Sequence, residues 1–210
     1  MRRWPILVAA LAMTACAPGE PPEITRSPTM PRATKAWRDI ATPVDRDRLR
    51  GWRDTFVKSV SAARASGHAG EIAREGALLD PDAALAGPDI PDGRYRCRVT
   101  KLGARSEGLL DYVAYPAFAC VVGRDGSLQR LDKLTGSQRY VGVMFPNDAM
   151  RQVFLGTLVL GDEIRAMQYG QDETRNVAGY LERIGERRWR LLMPRSHYES
   201  LTDVMELVPE

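Results

Sequence analysis

The apolar positions of this chain change period at Gly93. Upstream of it they recur at steps of three and four. Leu49, Trp52, Phe56, Val60 and Ala63 form one stripe, the mark of a helix that buries a single face. Thr42-Pro43-Val44-Asp45 marks its start. It offers a capping hydroxyl, a proline where the first N–H needs no partner, and a carboxylate at the positive end of the dipole. Ser66-Gly67 marks its end, because glycine readily takes the left-handed conformation there. Arg46, Asp47, Arg48, Arg50, Arg53 and Asp54 fall on the other faces, which predicts them solvated. A short helix over 71–79 and one further turn over 80–87 are expected next. This helical segment, 37–90, is too small to hold a core and is expected to pack on the remainder of the domain.

From Gly93 onward the period is two. Tyr95, Cys97 and Val99 share one face of a strand, and Arg94, Arg96 and Arg98 share the other. Phe118, Cys120 and Val122 share a face of the next clear strand. Further strands are predicted over 127–133, 139–145, 151–160, 176–184, 188–193 and 204–208, with a short piece ending at Tyr169-Gly170. Turn signals separate them: Gly123-Arg124-Asp125-Gly126, Thr135-Gly136-Ser137, Pro146-Asn147-Asp148 and Gly185-Glu186. About eight short strands joined by consecutive turns predict a mainly β fold with an N-terminal helical segment. The expected architecture is a small antiparallel meander barrel, with a sandwich as the alternative. The loops 103–111 and 194–200 are long and polar and are expected to form a rim.

The first residues read as a leader. Met1-Arg2-Arg3 is a short positive region, and Ile6 to Ala12 is an apolar run, far below the roughly 18–20 residues of a spanning helix. Met13-Thr14-Ala15-Cys16 resembles a bacterial lipobox, with Met13 where leucine is usual. The resemblance implies cleavage before Cys16 and lipid on its sulfur and amino group. The expected organisation is a signal peptide over 1–15, the lipidated Cys16 with a proline-rich tether over 16–36, and one globular domain over 37–210 (91–210 its β-rich part). Ala17 rather than aspartate follows the cysteine. By the bacterial sorting rule that places the protein on the periplasmic face of the outer membrane, with the membrane as its partner through the lipid.

This placement reorganises the cysteines and the charge. With Cys16 lipidated, Cys97 and Cys120 remain as a pair in an oxidising compartment, on apolar faces, and are expected to form a disulfide. No Cys-x-x-Cys spacing activates either thiol. The formal charge of +3 falls by the two leader arginines, Arg2 and Arg3, to +1, so no overall charge favours nucleic acid. Locally, Arg94, Arg96 and Arg98, with Lys101 and Arg105 beyond them and Arg139 on a later strand, are candidates for an anion-binding surface, since guanidinium matches phosphate and carboxylate. Arg183, Arg187, Arg188 and Arg190 make a second cluster at a hairpin tip. In the envelope, the corresponding partner is an anionic component such as lipopolysaccharide or peptidoglycan.

Catalytic signatures are lacking. No phosphate loop, dinucleotide turn, His-Glu-x-x-His or Gly-x-Ser-x-Gly occurs, and no cofactor motif is found. His68 and His197 are the two histidines, too few and too far apart in sequence to define a metal site. Gly136-Ser137-Gln138-Arg139 is nearest to a nucleophile turn, with Lys133 as its candidate base.

As a set, Gly93-Arg94-Tyr95-Arg96-Cys97-Arg98, Lys101-Leu102-Gly103, Tyr115 to Cys120, Lys133 to Arg139, Tyr169-Gly170 and Arg188-Trp189-Arg190-Leu191 resemble a family of bacterial lipoproteins catalogued as domain of unknown function 4893. The resemblance covers most of Trp37 to Pro209. It implies an envelope location and brings no activity and no catalytic residue. The leading expectation is a non-enzymatic, lipid-anchored periplasmic domain that binds or scaffolds an envelope component. The alternatives are a lipocalin-like barrel holding a small apolar ligand and a hydrolase built on Lys133, Ser137 and Arg139. For the anchor, Cys16→Ser is expected to abolish lipid labelling, and globomycin to accumulate the uncleaved form; retained labelling would remove Cys16 as the acceptor.

Overall fold

The period-two segments fold into eight strands of one sheet. In the computed structural model, which describes residues 36–210, these are β1 (Gly93–Ala104), β2 (Tyr112–Asp125), β3 (Leu128–Lys133), β4 (Gln138–Pro146), β5 (Arg151–Leu160), β6 (Asn176–Gly185), β7 (Arg188–Pro194) and β8 (Ser200–Pro209). The leader, Cys16 and the tether up to residue 35 lie outside the described residues. The strands pair antiparallel in chain order, and β1 pairs with β8 to close a barrel. Of the two expected architectures the barrel is the one formed, and closure leaves no free sheet edge.

Strand parity sorts the side chains. Tyr95, Cys97, Cys120, Val122, Leu131, Met144, Phe154, Leu181, Trp189, Leu191, Met205 and Leu207 form the inner core. Cys97 and Cys120 are bridged there, with Cα atoms 5.9 Å apart. They lie diagonally, since Cys97 stands opposite Phe118 and Cys120 opposite Tyr95. Tyr95 and Trp189 meet edge to face at 6.2 Å. Gly142 and Gly156 stand opposite each other on β4 and β5, and the ring of Phe154 lies over both. A Cβ on Gly142 would come within 2.4 Å of Leu155 O and 2.6 Å of Phe154 Cζ. The middle of the barrel is therefore filled by side chains.

The helical segment wraps the outside. Thr42 caps α2 (Pro43–Arg50) as its sequence predicts, its hydroxyl accepting from Asp45 N–H at 3.1 Å. The single expected helix is split, however. Gly51 (φ −89°, ψ 12°) ends α2, and α3 (Trp52–Ala63) starts anew. The break lets one stripe serve two places on a curved wall. Leu49, with Trp37 of the short α1 (Trp37–Ile40), packs on Val143, Val153, Leu155 and Ala178. Phe56, Val60 and Ala63 pack on Leu102, Leu192 and Val204. Gly67 (φ 99°) then turns the chain into α4 (Ala69–Glu75). Within the stretch 80–87, where one further turn is expected, a single turn closes over 80–83, with Ala83 N–H donating to Asp80 O at 3.3 Å, and the chain after it is tied to the barrel by a bridge between Leu85 and Arg183.

Residues 89–91 plug one end of the barrel. Ile90 is buried, Asp89 O accepts from Trp189 Nε1 at 3.1 Å, and Pro91 O accepts from the Tyr95 hydroxyl at 2.7 Å. The approach to this plug is fixed by Arg190, which is fully buried on the outer face of β7. Its guanidinium donates to the carbonyls of Ala77, Leu78 and Asp80 at 2.9, 2.9 and 2.7 Å, and to Glu182 Oε2 at 2.7 Å. Without Arg190, the buried Glu182 would keep only the partly exposed Arg151 as its partner, and a buried charge that loses a partner is costly. Arg190→Met is expected to lower the unfolding free energy by about 3–5 kcal/mol, read from the urea midpoint. Arg190→Met with Glu182→Met should recover part of that loss; no recovery would mean that the carbonyl contacts, not the Glu182 carboxylate, set the cost.

Candidate functional site

The other end of the barrel is open, and its inner wall turns polar. Lys101 follows Val99 in the inward row of β1, Lys133 follows Leu131 on β3, Tyr140 precedes Gly142 on β4, and Asp203 precedes Met205 on β8. All four are buried. Lys101, Lys133 and Tyr140 line a cavity of about 110 Å³ whose walls also include Val99, Tyr115, Phe118, Ser137, Gln138 and Glu199. A smaller space of about 30 Å³, lined in part by Arg48, Asn176 and His197, adjoins it across Gln138 and Tyr140.

Each lysine is held from several sides. Lys101 Nζ donates to Gln138 Oε1 at 3.1 Å and lies 3.1 Å from Glu199 Oε2 and 3.5 Å from Asp203 Oδ2. Burial pushes its ammonium down, and Asp203 and Glu199 outweigh that, so its pKa stands above the usual lysine value. Asp203 is fixed in turn by the Tyr140 hydroxyl at 2.9 Å and by the hydroxyl of Ser200. Burial, then the Asp203 carboxylate, holds Tyr140 far above the usual phenol range. Lys133 Nζ donates to Thr135 O and Gln138 O, both at 2.7 Å, and sits 3.7 Å over the Phe118 ring. Among the described residues, no carboxylate is one of its partners. Burial, with Arg139 and Lys101 nearby, brings it down to about 8.

The residues singled out in the sequence are dispersed. Arg94 pairs with Glu210 at 3.2 Å. Arg98 is held by Glu75 at 2.5 Å and Glu206 at 3.0 Å. Arg96 is exposed, without a carboxylate partner among the described residues. Arg139 stands three strands away on β4, donating to Glu163 O at 2.6 Å. These four do not form one continuous basic face: Glu75, Glu206 and Glu210 take Arg98 and Arg94, Arg96 stays free of carboxylates among the described residues, and Arg139 lies on another part of the wall. The hairpin cluster is likewise divided: Arg188 pairs with Glu206 at 2.6 Å, and Arg190 is buried on Glu182. Ser137 borders the cavity, yet Lys133 holds the turn carbonyls rather than its hydroxyl.

The two histidines are not brought together. His68 stacks on Tyr112 at 5.0 Å. His197 contacts Arg48, which the helix pattern placed in solvent but which is buried and paired with Asp45 at 2.9 Å. Burial, then Arg48 and Arg105, lowers the His197 pKa. Among the described residues, no group of three His, Cys, Asp or Glu could hold a metal ion, and no helix is long and apolar enough to cross a membrane.

Fold and site together define a closed eight-stranded barrel with a helical sheath, plugged at one end and lined by buried lysines at the other. The chain belongs to the family described as Domain of unknown function (DUF4893), which matches residues 37–207. No curated protein and no solved structure matches the chain.

The state of Lys133 has a direct readout. In Lys-labelled protein, its ε-methylene resonance is expected to titrate with a midpoint of about 8 rather than the ordinary 10.5. Its pKa is lower folded than unfolded, so the unfolded chain binds more protons between those values. Stability relative to Lys133→Met should therefore rise with pH from about 8 to 10.5. A midpoint near 10.5 would mean that the carbonyls and the Phe118 ring compensate burial completely.

Proposed function

We propose that this chain is a lipid-anchored protein of the bacterial envelope whose barrel is a binding domain, with the open mouth as its site. The observation that carries the reading is the pair of buried ammonium groups, Lys101 and Lys133, beside a cavity at the unplugged end. Burying charged lysines is costly, and neither is needed to fill the apolar core. Convergent polar groups with a shifted pKa at the edge of an apolar wall are what a ligand site requires. The anchor rests on the pattern from Met1 to Cys16, and with it the placement on the periplasmic face of the outer membrane.

Binding an anionic envelope component, lipopolysaccharide or peptidoglycan, through the arginine face has less support. Arg94 and Arg98 already hold carboxylates. A Ser/Lys hydrolase has less support as well, since both carbonyl bonds of Lys133 and its ring contact hold the amine in place. A lipocalin-like site deep in the barrel conflicts with the packed middle; the mouth offers the space instead.

A set of small fragments titrated into the oxidised full-length chain carrying Cys16→Ser tests this reading. Some fragments are expected to shift amide signals of Lys101, Tyr115, Gln138 and Glu199 in a saturable way, with the closed end around Ile90 unaffected. Fragments that perturb only other surfaces, or none that bind, would refute the mouth as the site.

A further inference from the structure

We infer that the mouth takes a small amphiphilic monocarboxylate, with its head group on Lys101 in the position of the Glu199 carboxylate and its apolar part over the rim. The inference rests on the mouth being a binding site. It begins with an asymmetry among the acceptors of Lys101. Gln138 and Asp203 belong to the barrel wall. Asp203 is buried and held by Tyr140 and Ser200. Glu199 comes from the loop before β8, its side chain is 44% exposed, and among the described residues Lys101 is its one side-chain partner. Two acceptors are fixed and the third is exchangeable.

Charge then selects the ligand. With Glu199 turned out to solvent, the cavity wall retains the ammonium groups of Lys101 and Lys133, and one carboxylate stands behind it, that of Asp203 at 3.5 Å from Lys101 Nζ. One negative charge restores balance; the two charges of a phosphate monoester overshoot it. The carboxylate of Glu199 already shows that this group fits within 3.1 Å of Lys101 Nζ. The cavity of about 110 Å³ holds a carboxylate and the first carbons behind it, against Val99 and Phe118.

The rim accounts for the remainder of the ligand. Large apolar side chains are exposed in the loops of this end: Leu109 and Leu110 between β1 and β2, Ile164 and Met167 between β5 and β6, and Tyr198 between β7 and β8. Tyr115 stands at the start of β2. Leu110 is 67% and Ile164 61% exposed. The turns at the plugged end carry no exposed large apolar residue among the described residues. An apolar tail leaving the cavity meets this rim.

Octanoate, octanol and inorganic phosphate, each titrated into the oxidised full-length chain carrying Cys16→Ser, provide the test by NMR. Octanoate is expected to shift Lys101, Tyr115 and Gln138 saturably. Octanol should bind at least tenfold more weakly, and phosphate should not displace octanoate. Lys101→Met should abolish octanoate binding. Glu199→Gln should tighten it several-fold, because it removes the internal competitor; a salt bridge with only a structural role would not produce that gain. Glu199 is half exposed, so this variant remains informative if Lys101→Met fails to fold. Octanol binding as well as octanoate would overturn the carboxylate while leaving the mouth as a binding site, and phosphate competing on equal terms would overturn the amphiphile. Weaker octanoate binding by Glu199→Gln would overturn the exchange. If neutral fragments bind at the mouth and octanoate does not, this inference alone falls; if nothing binds there, both fall.

Discussion

The buried contact between Arg190 and Glu182 sets the geometry of much of the molecule. A guanidinium without access to water needs acceptors for its donors, and the barrel wall supplies one carboxylate, shared with Arg151 at 2.6 Å. The others are the carbonyls of Ala77, Leu78 and Asp80. Displacement of that segment would leave charge-assisted bonds unmade, a far larger penalty than sliding an apolar contact. The segment is thereby fixed in register, and the chain that leaves it reaches residues 89–91, the plug. A polar anchor on the outer wall thus positions the segment that seals one end of the barrel and leaves the other open.

The sheath changes what a strand in this sheet must carry. Strands β5 to β8 are covered inside by the core and outside by helices or their loops. Their burial is nearly continuous: Gln152 to Val159 of β5 are all buried. Polar residues on such strands cannot reach solvent and have to find partners in place. Ser59 of α3 meets Thr202 of β8 at 2.9 Å, Glu182 meets Arg190, and Asp203 meets Tyr140. Two of these pairs lie under the sheath and serve attachment. The third faces inward at the open end, where it borders a cavity and shapes a field.

Most of the fold is legible in alternation, because an antiparallel barrel keeps one apolar row facing inward on every strand. The eight strands, their turns, the inward cysteines and the inner position of Trp189 all follow from it. The features that alternation misses have specific causes. The split at Gly51 reflects the curvature of the barrel, a tertiary constraint that a helical stripe does not record. Arg48 and Asp45 resemble solvent-facing charges in sequence, since their burial depends on the distant loops carrying His197 and Tyr169. Alternation places the arginines on one side of β1 correctly but does not show Arg98 occupied, since Glu75 and Glu206 arrive from elements far away in sequence. Lys101 and Asp203 carry a usable signal: both sit in inward register with apolar neighbours, where a charge is unexpected.

The seam between β1 and β8 bears on how the chain is made. Arg94 O accepts from the Glu210 N–H at 3.1 Å, and the ladder runs from Tyr95 opposite Pro209 to Ala104 opposite Ser200. These partners lie at opposite ends of the β-rich sequence, so a growing polypeptide can form hairpins early but cannot complete the cylinder until β8 has emerged. Until then β1 offers an unpaired border to any neighbouring strand, and long-range closure of this kind is slow. Vectorial synthesis thus delays closure of the barrel to the final stage, when the last strand becomes available to cover the first.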